Sequence, residues 1–127
     1  MDVGTHHGIA RDLCGAPVAL GTGTATVQLE TTPRMAADAK GLVHGGFVFG
    51  QADYAAMLAV NDPNVVLGAA ETRFTAPVRV GEVVVATARR VAQERRKHTV
   101  EVTCAVGDKT VMTGTFTTFV LDGHVLG

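Results

Sequence analysis

The sequence predicts an α+β fold in which an antiparallel, curved sheet wraps around one long central helix. Within residues 41–61, the residues from Gly46 onward favour a single helix with almost no polar face, which is typical of a helix buried on all sides. One run with strand character precedes this helix and four follow it, with short connections that favour antiparallel pairing. The chain has 127 residues, of which 46% are hydrophobic, enough for one domain with one ordinary core.

The segment before the helix contains an arm and a strand. Residues 1–21 are rich in glycine and weakly patterned, and we expect at most a short helical turn at residues 9–13. Residues 22–31 alternate apolar and polar side chains with the period of a half-buried strand. Pro33 ends this strand because proline has no N–H for the ladder, and a connecting loop follows up to Lys40. The predicted main domain therefore covers residues 22–127.

Four strands are predicted after the helix. The helix ends near the turn-forming cluster at residues 61–64. The strands cover residues 65–74, 80–91, 98–106 and 110–121, where valine and threonine are frequent. A tight turn at residues 107–109 joins the last two strands into a hairpin. The predicted order is one strand, the helix and then four strands.

Composition excludes several classes of function. Eleven basic residues against twelve acidic ones give a net charge of -1, so no nucleic-acid partner is expected. Cys14 and Cys104 have no CxxC spacing and no paired histidine, which favours reduced thiols in a cytoplasmic protein over a disulfide framework or a zinc site. The histidines lack ligand spacing, so no metal is expected. No signal-peptide pattern is visible, and polar residues interrupt the apolar run too early for a membrane span.

One carboxylate, Asp53, lies within the otherwise apolar helix. An ionised carboxylate out of water is costly unless it is paired or hydrogen-bonded, and chemistry is one reason to keep it. Gly45 and Gly46 fall at the start of the helix, where unpaired N–H groups favour a developing oxyanion. Asp53 lies about 10 Å further along the helix, so one small group cannot touch both on a single chain. Two antiparallel helices across a two-fold axis would bring them together.

The motif HGGFVFGQAD at residues 44–53 resembles that of hotdog-fold thioesterases of the phenylacetic-acid-pathway, or PaaI-like, type. In that family HGG opens the central helix, and an aspartate nine residues after the histidine is the catalytic carboxylate. The strand order and the pattern formed by Phe74, Pro77 and residues 81–82 extend the likeness over most of the chain after Thr22. The resemblance implies a hotdog fold and hydrolysis of an acyl-CoA thioester at a homodimer interface, in a dimer or a dimer of dimers. It implies no cofactor, since coenzyme A is part of the substrate.

The resemblance also implies roles for the site residues. Asp53 acts as general base on water or as nucleophile, and Gly46, with Gly45, offers backbone N–H groups to the thioester carbonyl oxygen. His44 orients the loop or contacts the thioester region. Many relatives carry asparagine six residues before the histidine, where it helps to hold the water or the substrate, whereas this chain has Asp38 at that substrate-binding position. A second carboxylate close to Asp53 would raise its proton affinity, so Asp38 either points away or alters the mechanism.

The expected substrate-binding residues fall into two groups. An apolar acyl pocket beside the helix is expected to be lined by Phe47, Tyr54 and Phe74. The densest basic group lies at residues 89–97, and in hotdog dimers the phosphates of coenzyme A often lie on such positions. This makes phosphate contacts of Arg89, Arg90 and Arg96 an expectation, beside the plainer reading of a solvated hairpin end.

Other readings of the same residues remain open. Asp53 can be structural, bonding amides of a partner helix, and the glycine pair can serve close packing alone. A non-catalytic acyl-CoA or acyl-carrier binding module, like the ligand domain of bacterial fatty-acid repressors, shares the fold. The retained Asp53 and the lack of a helix-turn-helix pattern favour the enzyme. A dehydratase would need a catalytic histidine in a different motif, which the sequence lacks.

Overall fold

A computed structural model describes residues 2–127 and confirms the α+β class. The elements in chain order are α1 (Arg11–Cys14), β1 (Ala16–Gly21), β2 (Thr24–Glu30), a 3-10 turn (Pro33–Met35), α2 (Gly45–Val60), β3 (Val65–Phe74), β4 (Val83–Glu94), β5 (Lys97–Val106) and β6 (Lys109–Val120). The six strands form one antiparallel sheet in the order β1-β2-β4-β5-β6-β3, with the long helix α2 packed across it. The predicted helix and five predicted strands are therefore present, with ends that differ by a few residues.

The strand β1 corrects the prediction of an unpatterned arm over residues 1–21. It pairs antiparallel with β2 across the turn between Gly21 and Thr24, and the register shifts between Pro17 and Ala19. This irregularity places an extra residue in the strand and breaks its period of two, which hides the strand in the sequence. The short helix α1 does lie close to the predicted helical turn, at Arg11–Cys14.

The core lies between the sheet and α2. Alternate residues of β2, β4 and β5 turn inward, so that Val27, Val84 and Val100 have no exposed surface. The inward aromatic ring of Phe116 on β6 meets Phe49 of α2 at a centroid distance of 5.6 Å. One face of the helix is therefore buried by the sheet.

The N-terminal arm covers another part of α2. Asn61 ends the helix in the left-handed conformation, with a φ of 56°. Its side chain accepts a hydrogen bond from Gly4 N–H at 2.8 Å and donates one to the Asp2 carbonyl at 2.8 Å. The helix α1 packs on α2 further along. Sheet and arm together explain why α2 carries almost no polar face.

The strands β1 and β3 form the two edges of the sheet. Most residues of β3, including its last residue Phe74, are only partly buried or are exposed. This strand has one edge paired with β6, and its other edge has no strand partner in the described part of the chain. No helix within residues 2–127 has the length and apolar character needed to cross a membrane.

Candidate active site at the start and middle of the central helix

The helix α2 begins with two N–H groups that have no partner in the described part of the chain. His44 precedes the helix in an extended conformation and makes no side-chain capping bond. The His44 N–H donates to the Met35 carbonyl at 2.9 Å, and the Phe47 N–H donates to the His44 carbonyl at 3.1 Å, but no such bond involves the N–H groups of Gly45 and Gly46. The start of α2 can therefore receive a negatively charged oxygen.

Two aromatic rings flank the glycine pair. A Cβ added at Gly45 would lie 3.2 Å from Phe74 Cε1, and one added at Gly46 would lie 2.9 Å from His44 Nε2. The His44 ring also meets the Phe47 ring edge-on, at 6.1 Å between centroids. Larger residues at these two positions would displace the rings, so the glycines keep the amides accessible.

Asp53 is half-buried in the middle of α2, as predicted from its isolation in the apolar run. Its Oδ1 atom is buried and has no hydrogen-bond partner within residues 2–127. Burial raises the pKa of this carboxyl group to about 6. A carboxyl group with such a pKa is mostly ionised at neutral pH and is a stronger base than an ordinary carboxylate, so it can accept a proton from water, as a general base must.

Asp38 lies in the loop before α2 and is exposed. Its Oδ1 atom accepts hydrogen bonds from the N–H groups of Lys40, at 2.9 Å, and Leu42, at 3.2 Å. The pKa of Asp53 is raised by burial and not by this second carboxylate. Within one chain, Asp38 therefore stabilises its own turn and does not act on Asp53.

Gln51 is a residue that the sequence reasoning missed. It is completely buried, and its Nε2 donates to the carbonyl groups of Val27 at 3.0 Å and Val84 at 2.7 Å. These bonds fix α2 to β2 and β4 half a turn before Asp53. The available signal was the same as for Asp53, namely a polar residue inside an apolar helix.

Cys14 of α1 is a second residue near Asp53 that the sequence did not reveal. Burial raises the pKa of its thiol, and the negative charges of Asp53 and Asp12 raise it further. The N-terminal arm thus reaches the surroundings of the candidate catalytic carboxylate. No local sequence pattern could have indicated this approach, because it joins residues far apart in the chain.

The three aromatic residues expected in an acyl pocket are not brought together in one chain. Phe74 lines an apolar groove of about 400 Å³ at the start of α2, with Gly45 and Val48. Phe47 and Tyr54 are not among the described residues that line this groove. Tyr54 is buried, its hydroxyl group has no partner in the described part of the chain, and its ring lies 6.3 Å from that of His6 in the arm.

The three arginines expected to contact phosphates lie on strand β4 and at the turn that follows it. Arg89 is 4.0 Å from the carboxylate of Glu101, and Arg96 forms an ion pair with Asp122. Arg90 donates to His98 Nδ1 at 3.3 Å, and burial together with the Arg90 charge lowers the pKa of this histidine. Phosphate binding by these arginines stays a prediction.

The described residues contain no group of three or more His, Cys, Asp or Glu side chains that could hold a metal ion. The functional groups at the site are therefore one carboxylate, two backbone amides and an imidazole. This set suits acyl transfer to water, with a proton acceptor and donors for an oxyanion.

Comparison with known proteins gives the family. The sequence model of the thioesterase superfamily matches residues 40–113, which include all of α2 and β3 to β5. A protein of Aquifex aeolicus named methylthioribose-1-phosphate isomerase is 49% identical over 123 residues, covering 96% of this chain and 27% of that protein. The transcription factor FapR of Shouchella clausii is 36% identical over 84 residues, covering 66% of this chain and 44% of FapR. The chain thus spans less than half the length of either relative.

Solved structures agree with the family. An uncharacterized protein from Pyrococcus horikoshii superposes with a TM-score of 0.99 and 50% identity, covering 100% of this chain and 98% of that one. A mutant of the phenylacetic acid degradation protein PaaI from Thermus thermophilus superposes with a TM-score of 0.79 and 32% identity, covering 86% of this chain and 95% of that one. The family match covers more than half of the chain and the fold agrees along its length. The protein therefore belongs to the thioesterase superfamily and is a PaaI-like member with the hotdog fold.

Proposed function

We propose that the protein is an acyl-CoA thioesterase whose active site forms between two copies of the chain. The observation that carries this proposal is the Oδ1 atom of Asp53, which is buried without a partner on the helix that also presents unpaired amides. A buried carboxylate without a partner is costly, and a substrate or a second chain would supply the missing hydrogen bonds. Membership of the thioesterase superfamily supports this chemistry.

The free edge of β3 supports the two-chain arrangement. Antiparallel pairing of β3 with its own copy would extend the sheet across a two-fold axis and remove an exposed edge. Two antiparallel α2 helices would then lie side by side. Asp53 of one chain would face Gly45 and Gly46 of the other, which a single straight helix does not allow because about 10 Å separates them.

The proposed reaction is hydrolysis of the thioester. As Asp53 removes a proton from water, the water oxygen forms a bond to the carbonyl carbon, and the carbonyl oxygen becomes an oxyanion held by the glycine N–H groups. The C–S bond then breaks, the thiolate of coenzyme A leaves and takes up a proton, and the carboxylic acid is released. In the nucleophilic variant, the Asp53 carboxylate attacks first and water hydrolyses the resulting anhydride.

The acyl and thioester regions of the substrate fit different parts of the site. We place the thioester at the start of α2, beside His44, where Phe74 and Val48 line the apolar groove of about 400 Å³. His44 orients the loop or contacts the thioester. Phe47 is only partly buried and would contribute from the helix once two chains meet, whereas the buried ring of Tyr54 would support the pocket from behind. Asp38 would then face the partner's site. Arg89, Arg90 and Arg96 are candidate contacts for the phosphates of coenzyme A.

A second candidate function is binding without turnover. The likeness to the transcription factor FapR favours it, since 66% of this chain matches that regulator at 36% identity. In this case the same groove would hold an acyl-CoA as a signal. The likeness to the Aquifex protein covers only 27% of that protein and therefore does not support an isomerase activity of this chain.

A panel of acyl-CoA substrates assayed by thiol release tests the proposal, with the wild type and Asp53→Ala compared. Turnover that is lost in Asp53→Ala supports the enzyme. Tight acyl-CoA binding without turnover on any substrate would instead favour the binding module. Label found in the Asp53 carboxylate after a single turnover in ¹⁸O-labelled water would establish the nucleophilic route, because only attack of water on the Asp53 carbonyl of the anhydride places it there.

A further inference from the structure

A second cleft continues from the groove at the start of α2. It has a volume of about 270 Å³ and is lined by Asp38, Lys40, Leu42, Pro77, Val78 and Arg79. Leu42, Pro77 and Val78 also line the larger groove beside Gly45. The two spaces therefore adjoin along one apolar wall, which runs from the unpaired helix amides to a pair of cations.

The wall between the two spaces is held by backbone hydrogen bonds. Leu42 and Arg79 face each other in an isolated antiparallel bridge. The Val43 N–H donates to the Val78 carbonyl at 2.9 Å, and the Val80 N–H donates to the Gly41 carbonyl at 2.8 Å. The positions of Lys40 and Arg79 relative to the helix start are thus fixed by the fold.

The cationic side chains of Lys40 and Arg79 are exposed, and they make no ion pair within residues 2–127. The carboxylate groups of Asp38 and Glu82 lie nearby, and both accept hydrogen bonds from backbone N–H groups of their own turns. Asp38 accepts from two N–H groups, and Glu82 Oε1 accepts from the Arg79 N–H at 2.7 Å. By contrast, Arg89 and Arg96 each have a carboxylate partner. Lys40 and Arg79 are consequently more available to an anionic ligand.

We infer that Lys40 and Arg79 bind the diphosphate of coenzyme A, with the pantetheine arm lying along the wall formed by Leu42, Pro77 and Val78. This inference rests on the proposed function and names the part of the substrate that the second cleft recognises. The methyl and methylene groups of the pantetheine arm suit an apolar wall, and charge-assisted hydrogen bonds from a lysine and an arginine suit phosphate oxygens. The thioester end of the same arm then lies at the Gly45 and Gly46 amides.

The test compares one acyl group carried by coenzyme A and by pantetheine, which lacks the diphosphate. For Lys40→Ala and Arg79→Ala, the KM for the acyl-CoA should rise about tenfold each, and more in the double variant, while kcat stays nearly constant. The KM for the acyl-pantetheine should not change. The rise should shrink at high salt, because screening weakens the wild-type contacts. Arg11→Ala removes an exposed cation outside both clefts and serves as the control with unchanged kinetics.

An unchanged KM for acyl-CoA in the double variant would overturn the inference, and so would an equal rise for both substrates. A KM that rises only in Arg89→Ala or Arg96→Ala would also overturn it. A preference for the acyl group on an acyl-carrier protein, lost in the double variant, would overturn the assignment to coenzyme A. If the wild type has no turnover, calorimetry with coenzyme A itself separates phosphate binding from hydrolysis. Weaker binding of coenzyme A by the double variant would support the phosphate site even where the hydrolase proposal fails.

Discussion

Replacing Asp53 by asparagine tests the physical basis of the site through stability as well as activity. Burial raises the pKa of Asp53 from its ordinary 3.8 to about 6. At about 1.4 kcal/mol per tenfold change in proton affinity, the ionised form destabilises the fold by about 3 kcal/mol, which solvent access to part of the side chain reduces to about 2 kcal/mol. Because the folded state holds its proton more tightly, the free energy of unfolding falls as the pH rises from about 4 to about 6.

Asparagine keeps the shape of the side chain and cannot ionise. We expect Asp53→Asn to be more stable than the wild type by about 2 kcal/mol at about pH 8, with a Tm about 7 °C higher, and no more stable below about pH 4. Thioester hydrolysis should fall by about 10²- to 10⁴-fold. Urea unfolding at a fixed protein concentration and a thiol-release assay measure the two effects. The reasoning is refuted if the stability difference does not depend on pH, or if the variant retains full turnover.

Three further predictions follow from the same geometry. The value of kcat/KM should rise about tenfold per pH unit below about pH 6 and level off above it, since the ionised Asp53 is the active form. A pH profile of kcat/KM that is flat from about pH 5 to about pH 8 would contradict the role of Asp53 as a base. Gly46→Ala should lower kcat because its Cβ would lie 2.9 Å from His44 Nε2. Gly50→Ala, on the same helix, should keep activity because its Cβ would meet no atom within 4 Å. Equal kinetics of the two variants would argue against an oxyanion role. Mixing unfolded Asp53→Ala and Gly46→Val chains and refolding them together should restore about a quarter of the wild-type activity. The reason is that half of the dimers are mixed and each mixed dimer has one intact site of two. If native mass spectrometry shows mixed dimers but activity does not recover, Asp53 and Gly46 of one site belong to the same chain.

The fold and the position of the candidate carboxylate in the buried helix were accessible from the sequence because their signals are local. The apolar run at residues 41–61 marks a buried helix, and the alternation in β2, β5 and β6 marks strands with one buried face. Asp53 is conspicuous because a charge contradicts the surrounding residues. Each of these inferences needs only residues that are neighbours in the chain and the rule that apolar side chains are buried whereas unpaired charges are not.

The parts that the sequence did not reveal depend on contacts between distant residues. Strand β1 is recognisable only from its pairing with β2, and its bulge removes the alternation that would have marked it. The approach of Cys14 to Asp53 follows from the packing of α1 on α2. Lys40 and Arg79 are separated by 39 positions in the chain and share a cleft only because Leu42 and Arg79 face each other in a backbone bridge.

In the proposed enzyme, the length of helix between Gly46 and Asp53 would link activity to assembly. The bonds from Gln51 to Val27 and Val84 fix this part of α2 to the sheet, so the helix cannot bend to bring its own amides to its own carboxylate. Each chain therefore holds both groups but leaves each without a partner within residues 2–127, and in the proposed dimer pairing of the β3 edges would place them face to face. Loss of this pairing should abolish turnover while leaving the buried core of each chain intact, and dilution should lower the specific activity as the dimer dissociates.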